Sequence, residues 1–252
     1  MLTKIFLFIR KLHSRYGAQL SLVEKGNYLF RLYEASWRHS SNGRYLDIGS
    51  GSRITTEVFS SKFAQACALD LSLPQPESFN FAEAKFHFIF GSAETLPFRH
   101  EMFDVVSMFS LIEHVQNQQL ALSEALRVVR RGGCLLIEIP NRYFPIDTHS
   151  AFLNPLMLPP SLRSRLLGIM GYTDIPSKGK LKSMLLSSKA ELEIKVESVI
   201  WPYRVPPLKF RPLYFLIRMT GILRALPLGY FFICHKPLPG EIRWRGKGGV
   251  DG

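Results

Sequence analysis

Cysteine is nearly absent from this chain of 252 residues: Cys67, Cys134 and Cys234 stand far apart and form no Cys-x-x-Cys pair. That excludes a disulfide-built scaffold and a cysteine zinc site, and it fits a reducing, cytoplasmic setting. Long apolar runs are missing as well. The first 23 residues hold Lys4, Arg10, Lys11 and Arg15 but no acid, and their apolar run Ile5–Ile9 is only five residues. A bilayer-spanning helix needs about 20, and a secretory signal needs a longer core and a small-residue cleavage site. A second apolar concentration, Lys209–Cys234, is cut by Arg211, Pro212, Arg218, Arg224 and Pro227, so its longest uncharged stretch, Ala225–Cys234, is ten residues. No transmembrane helix is expected. Glycine and proline, 18 and 16, are too few for low complexity, and there is no internal repeat.

Acidic residues are also scarce, 20 against 32 Lys and Arg, which leaves a net charge of +12. Such an excess suggests nucleic acid at first sight. The charge is unevenly placed, however. Residues 1–45 carry eight basic and two acidic residues, and residues 151–252 carry sixteen and six, whereas 46–150 carries eight and twelve and is net −4. Basic flanks therefore enclose a mildly acidic centre. In the first flank, Leu2, Ile5, Phe6, Phe8, Ile9, Leu12 and Tyr16 recur at helical spacing. A packed or lid helix, an interfacial membrane helix and an organellar presequence are all compatible with it. In the second flank, Arg211, Arg218 and Arg224 oppose Leu213, Leu216, Met219 and Leu223, the pattern of a basic amphipathic helix over 209–226.

The centre alternates short apolar runs with helical patterns. Strands are expected at RYLDIG from Arg44, CALDL at 67–71, FHFIFG at 86–91, FDVVSMF at 103–109 and GGCLLIEIP at 132–140, with helices over 54–63 and 116–130. Repetition of strand and helix predicts a parallel sheet covered on both faces, with ligands at the carboxyl ends of its strands. Beyond Ser150 a helix at Ser161–Leu167, a basic connection over 168–183, a strand within LEIKVESVIWP and a last strand at GYFFICHKP complete the pattern.

The strongest local feature is Leu46-Asp47-Ile48-Gly49-Ser50-Gly51-Ser52. Its two glycines sit where a strand turns into a helix, and they let a ligand approach the backbone. Asp47 just before them suits a ligand bearing a cationic amine. Asp70, nineteen residues after Gly51 and at the end of the second strand, is placed to accept hydrogen bonds from ribose hydroxyls.

Taken together, LDIGSGS, the ALDLS acid, GSAETLPF at 91–98, FDVVSMFSLIEHV at 103–115 and RVVRRGGCLLIEIPN at 127–141 resemble the successive motifs of class I S-adenosylmethionine-dependent methyltransferases, type 11-like, over roughly 44–150. The resemblance implies an α/β, Rossmann-like, seven-stranded sheet with helices on both faces and its last strand antiparallel. It implies S-adenosylmethionine as cofactor: Asp47, Gly49, Ser50 and Gly51 would cradle the methionine portion, Asp70 the ribose, Leu71 the adenine face, and Ser92 and Ala93 the adenine border. Phe109, with Ser110 and Leu111, would line the pocket near the methyl group. The family often has Asp in place of Ser92, and usually a third motif glycine in place of Arg53.

Methyl transfer requires water exclusion, alignment and sometimes a base. Candidate bases are Glu113 and His114 after the fourth strand, and Tyr143, Asp147 and His149 after the fifth. PNRYFPIDTHS resembles a stretch of methyltransferases from glycan and cell-envelope gene clusters. The expected organisation is an N-terminal basic helical region 1–43, a cofactor-binding core 44–150, an acceptor-side region 151–240 containing the insertion 209–226, and a tail 241–252. The expected activity is methylation of a small, glycan or lipid-linked acceptor, on oxygen, at an anionic membrane surface to which the chain binds peripherally. Two other readings stay open: an RNA or other nucleic-acid methyltransferase, and a cofactor-binding interaction protein without catalysis. Against nucleic acid, Phe109-Ser110-Leu111-Ile112 stands where base-amine methylation uses an NPPY-like tetrapeptide.

Overall fold

A computed structural model describes residues 18–36, 42–51, 53–72, 86–144, 154–188, 190–199 and 227–240. The expected amphipathic segments before residue 17 and at 209–226, and the tail 241–252, lie outside the described residues. Element order is α1 (Ala18–Ser36), β1 (Arg44–Ile48), α2 (Ile54–Ser60), β2 (Gln65–Asp70), β3 (His87–Phe90), β4 (Phe103–Phe109), α3 (Gln118–Val128), β5 (Val129–Pro140), α4 (Pro160–Met170), α5 (Lys178–Ser187), β6 (Glu193–Val199) and β7 (Gly229–Lys236). Short 3₁₀ turns lie at Ile112–His114 and Pro155–Met157.

The strands form one seven-stranded sheet in the order β3-β2-β1-β4-β5-β7-β6. β1 is parallel to β2 and β4, β2 to β3 and β4 to β5, while β7 runs antiparallel to both β5 and β6. The chain therefore winds outward one way from β1 and the other way from β4. The crevice at their carboxyl ends is the topological switch point at which such sheets bind ligands.

Side-chain alternation sorts the strands onto two faces. Leu46, Ile48, Val106, Met108, Leu135, Ile137 and Phe232 pack with Ala121, Leu122 and Ala125 of α3 and Leu181 and Leu185 of α5. Tyr45, Ala68, Val105, Phe109, Leu136, Phe231 and Ile233 pack on the other face with Leu29, Phe30 and Tyr33 of α1 and Phe59 of α2. Aromatic rings dominate this second face: Phe59 lies 5.1 Å edge-on to Phe30, 5.4 Å stacked on Tyr45 and 5.2 Å from Phe109. Each such pair adds about 1 kcal/mol beyond its buried area. α1 approaches α2 closely at Gly26, where an added Cβ would stand 3.1 Å from Val58.

Two boundaries differ from the sequence pattern for local reasons. Asn117 caps α3, its Oδ1 accepting from Leu120 N at 3.0 Å, and the helix stops at Val128 because Val129 adopts extended backbone and opens β5. The stretch 168–183, expected as a connection, contains the start of α5. Ser177 caps that helix by accepting from Lys180 N at 3.1 Å, and Leu181, Met184 and Leu185 give it a buried stripe.

Candidate active site

The β1–α2 turn is built from its own backbone upward. Gly49 N and Ser50 N both donate to Leu69 O, at 2.7 and 3.2 Å, which locks the turn to the end of β2. Gly49 has φ 74, and a Cβ there would meet Leu111 Cδ1 at 2.5 Å, so glycine is required twice over, by conformation and by space. Gly51 has φ 48 but open surroundings, its nearest neighbour to an added Cβ being Gly49 O at 3.9 Å. That glycine leaves room for a ligand rather than for the protein. Arg53, at the family's third glycine position, keeps the left-handed backbone that glycine would have, with φ 63. The turn is thus preserved, and an L-residue bears a strain of about 1 kcal/mol.

Asp47 is buried beneath this turn, and both of its oxygens are engaged by the protein. Oδ1 accepts from Ser107 Oγ at 2.6 Å and Oδ2 from Thr56 Oγ1 at 2.5 Å. Because the single Ser107 hydroxyl proton goes to Asp47, Tyr45 donates its own to Ser107 Oγ at 2.6 Å. Desolvation pushes the Asp47 carboxyl up to about 6; the bonds from Ser107 and Thr56 pull it down, and nearby Asp70 adds to the rise. Burial likewise raises the Tyr45 phenol, with Asp47 adding to it, so the phenol stays a proton donor. Asp47 braces the turn from below.

Asp70 ends β2 at the crevice. Its Oδ2 accepts from Gly51 N at 2.8 Å, and its Oδ1 from Ser72 N and Oγ, each at 3.0 Å. Leu71 beside it is 67% exposed, and Phe90, paired in register with Asp70 on β3, is 64% exposed. A carboxylate with remaining lone pairs, flanked by two exposed apolar side chains and a bare glycine turn, suits a nucleoside: hydroxyls to the acid, a flat base to the apolar surface. The residues present therefore fit S-adenosylmethionine. Ser92 Oγ accepts from Glu94 N at 3.1 Å, and Ala93 is buried. This segment is held from α3, where Glu124 Oε2 accepts from Leu96 N at 2.9 Å and Arg127 donates to Glu124, Leu96 O and Phe98 O. The Arg127 guanidinium holds the Glu124 carboxyl below its ordinary range.

Of the residues expected at the methyl-transfer end, Phe109 has its ring in the aromatic core against Phe59 and Phe231. Strand alternation puts it on the α1 face, and Leu111, two residues on, is the side chain that meets the glycine turn. Glu113 is fully buried, and its carbonyl accepts from Thr173 N at 2.8 Å. His114 is partly exposed. Its Nδ1 lies 2.7 Å from Gly171 O, and its ring stacks on Tyr172 at 4.9 Å. A carbonyl only accepts, so Nδ1 carries the proton and Nε2 is the basic nitrogen. Tyr143 is 63% exposed beyond β5, while Asp147 and His149 lie outside the described residues.

Sequence reasoning missed the segment after α4. Thr173 Oγ1 lies 2.7 Å from Val115 O and 3.0 Å from Glu113 O, and Gln118 Nε2 donates to Ile112 O and Asp174 O. These bonds fasten residues 171–174 to the loop after β4. Also missed was a buried ion pair between Lys25 of α1 and Glu138 of β5, 2.7 Å apart. Neither has a local sequence signal, because the partners lie 56 to 113 residues apart.

The sheet order, the switch-point crevice and the glycine turn with its acid at the end of β2 are similar to those of the class I S-adenosylmethionine-dependent methyltransferases, and part of the chain matches the model of such a domain. Residues 46–137 match the profile of the methyltransferase domain. An uncharacterised protein of Methanocaldococcus jannaschii is 34% identical over 110 residues, 43% of this chain and 50% of that protein. A demethylmenaquinone methyltransferase of Mycobacterium bovis is 32% identical over 110 residues, 44% of this chain and 46% of that enzyme. The chain thus spans about half the length of the curated relatives it matches. Among solved structures, phosphoethanolamine N-methyltransferase 2 of Haemonchus contortus, in complex with S-adenosyl-L-methionine, superposes with a TM-score of 0.58 at 16% identity, covering 84% of this chain and 53% of that one. At that identity the likeness is one of fold.

Proposed function

We propose that the chain uses S-adenosylmethionine to methylate a hydroxyl of a small, glycan or lipid-linked acceptor at a membrane surface, with His114 as the base. One juxtaposition carries the reading. Leu111 packs on the Gly49 turn, and three residues later the same loop presents an imidazole whose tautomer is fixed by Gly171.

When bound, S-adenosylmethionine supplies an electrophilic methyl group and leaves as a neutral thioether. Asp70 would hold the ribose hydroxyls, Leu71 and Phe90 the base, and the Gly49–Gly51 turn the amino-acid end. His114 Nε2 takes the acceptor's hydroxyl proton as the oxygen is methylated. The resulting imidazolium is stabilised through its Nδ1–H bond to the Gly171 carbonyl, which strengthens as the ring gains charge. Asp147 and His149, after β5, are proposed as acceptor-side groups alongside Tyr143.

An amphiphilic acceptor is supported by the described strap over 154–188. It holds five Lys and Arg against the single acid Asp174, and Met157, Leu162 and Leu186 are 47%, 50% and 58% exposed. Exposed apolar side chains among basic ones suit an anionic interface. No described helix is long and apolar enough to cross a membrane.

The test is transfer of labelled methyl from the cofactor into fractionated cell extract. Label is expected in the lipid or glycan fraction, and H114A should lower its rate by about 10²–10⁴-fold while binding of S-adenosylhomocysteine stays within about twofold. Label confined to RNA would overturn the acceptor class, and an unchanged H114A rate would remove the base.

A further inference from the structure

Ser110, expected near the methyl group, belongs to a polar cluster at the carboxyl ends of β4 and β5 whose charged members are neither the residues proposed to hold the cofactor nor the proposed base. Lys25 Nζ donates to Glu138 Oε2 at 2.7 Å and to Ser110 Oγ at 3.0 Å, and Ser110 Oγ donates to the same Glu138 oxygen at 2.7 Å. The ion pair is almost wholly buried, the side chains of Lys25 and Glu138 being 12% and 7% exposed. Lys25 lies one helical turn before the core residue Leu29, so it reaches over the strand ends from the same face of α1.

Ser110 has φ 50, left-handed backbone on a residue with a side chain. Its amide also bonds Glu138 O at 2.9 Å. Leu111, the next residue, fills the space against Gly49. Three consecutive residues thus face three ways: Phe109 into the aromatic core, Ser110 onto the ion pair, and Leu111 onto the cofactor turn. Only the unusual backbone at Ser110 makes that possible, and the Lys25–Glu138 pair grips its side chain.

We infer that Lys25 is a positioning residue for the cofactor turn: its bonds to Glu138 and Ser110 hold residue 110 left-handed, which seats Leu111 on Gly49, so docking of α1 and completion of the cofactor site are a single event. The inference rests on the cofactor reading above. A buried charge pair contributes little net stability over apolar residues of similar size, whereas here it fixes a backbone conformation. Glycine needs no such hold, since it enters the left-handed region freely.

That difference gives the test, made on the full chain by calorimetric titration with S-adenosylhomocysteine and by thermal unfolding. In K25M/E138L both charges are removed together, so neither is left buried alone, and unfolding is expected to stay near the parent's. Its affinity for S-adenosylhomocysteine should fall by about fivefold, the scale of the backbone strain no longer held. Adding S110G to that double variant should restore affinity to within about twofold of the parent. An ion pair that merely stabilises the fold would show no such suppression. Unchanged affinity in K25M/E138L, or no recovery on adding S110G, would overturn the latch; a parent chain that does not bind S-adenosylhomocysteine would overturn both the latch and the cofactor reading.

Discussion

At Asp47 the chain keeps an ionisable group where burial disfavours its charge. The carboxyl is pushed up to about 6 from an ordinary 3.8, chiefly by desolvation. An acid whose folded-state pKa lies above its unfolded value binds its proton better when folded. Folding is unpenalised below the unfolded pKa, the penalty grows as pH rises between the two values, and it is complete above the higher one. The magnitude at neutral pH is about 3 kcal/mol. D47N keeps the shape, and its amide can donate to Thr56 Oγ1 while its oxygen accepts from Ser107. Urea unfolding of the two chains from about pH 4 to about pH 8 should therefore show a small difference at the acid end and a gain of about 1–3 kcal/mol for D47N above pH 6. A difference that stays constant across that range would refute the assignment. Retention of a costly carboxylate is understandable if its negative charge under the turn favours the cationic amine of the proposed cofactor, a trade of stability for function.

Among the elements, those that build the sheet were legible in the sequence and those that stitch its loops were not. Strands buried on both faces read as apolar runs, so FDVVSMF coincides with the parallel strand β4, Phe103–Phe109, and GYFFICHKP with the antiparallel β7 to within a residue. The glycine turn and Asp70 were legible because their spacing is local. By contrast, α5 was hidden in a Lys- and Ser-rich stretch, where Ser177 as cap and the Leu181, Leu185 spacing were the available signals. The bonds of Thr173 to Glu113 O and Val115 O depend on how α4 returns to the sheet, which no window of sequence encodes. Their consequence can be measured. T173V preserves shape and the backbone bond but removes the hydroxyl donor, at about 1 kcal/mol. Amide hydrogen exchange across 112–118 and 171–175 should accelerate by about fivefold, with S-adenosylhomocysteine affinity within about twofold of the parent. Unchanged exchange would show that the strap is held by packing alone.

For the whole molecule, the charge of +12 resolves into parts with different roles. The cofactor crevice lies in the net-acidic centre, while the strap beside His114 is basic and bears exposed leucine and methionine. Nucleic acid and an anionic bilayer would both attract such a chain at low salt, since screening weakens either attraction as the Debye length falls to about 3 Å at 1 M. They part company in what survives high salt. Phosphate neutralisation leaves nothing behind, whereas inserted apolar side chains keep contributing about 25 cal/mol per Å² buried. Sedimentation with vesicles of neutral or part-anionic composition is therefore expected to show strong low-salt binding to the anionic ones alone, and a residual fraction bound at about 0.5 M salt. R165E/K182E, both on exposed positions, should weaken the low-salt binding at least about tenfold, while L162S should remove mainly the salt-resistant part. Vesicles that fail to retain the chain at low salt would sever the activity from the membrane and leave a freely diffusing acceptor.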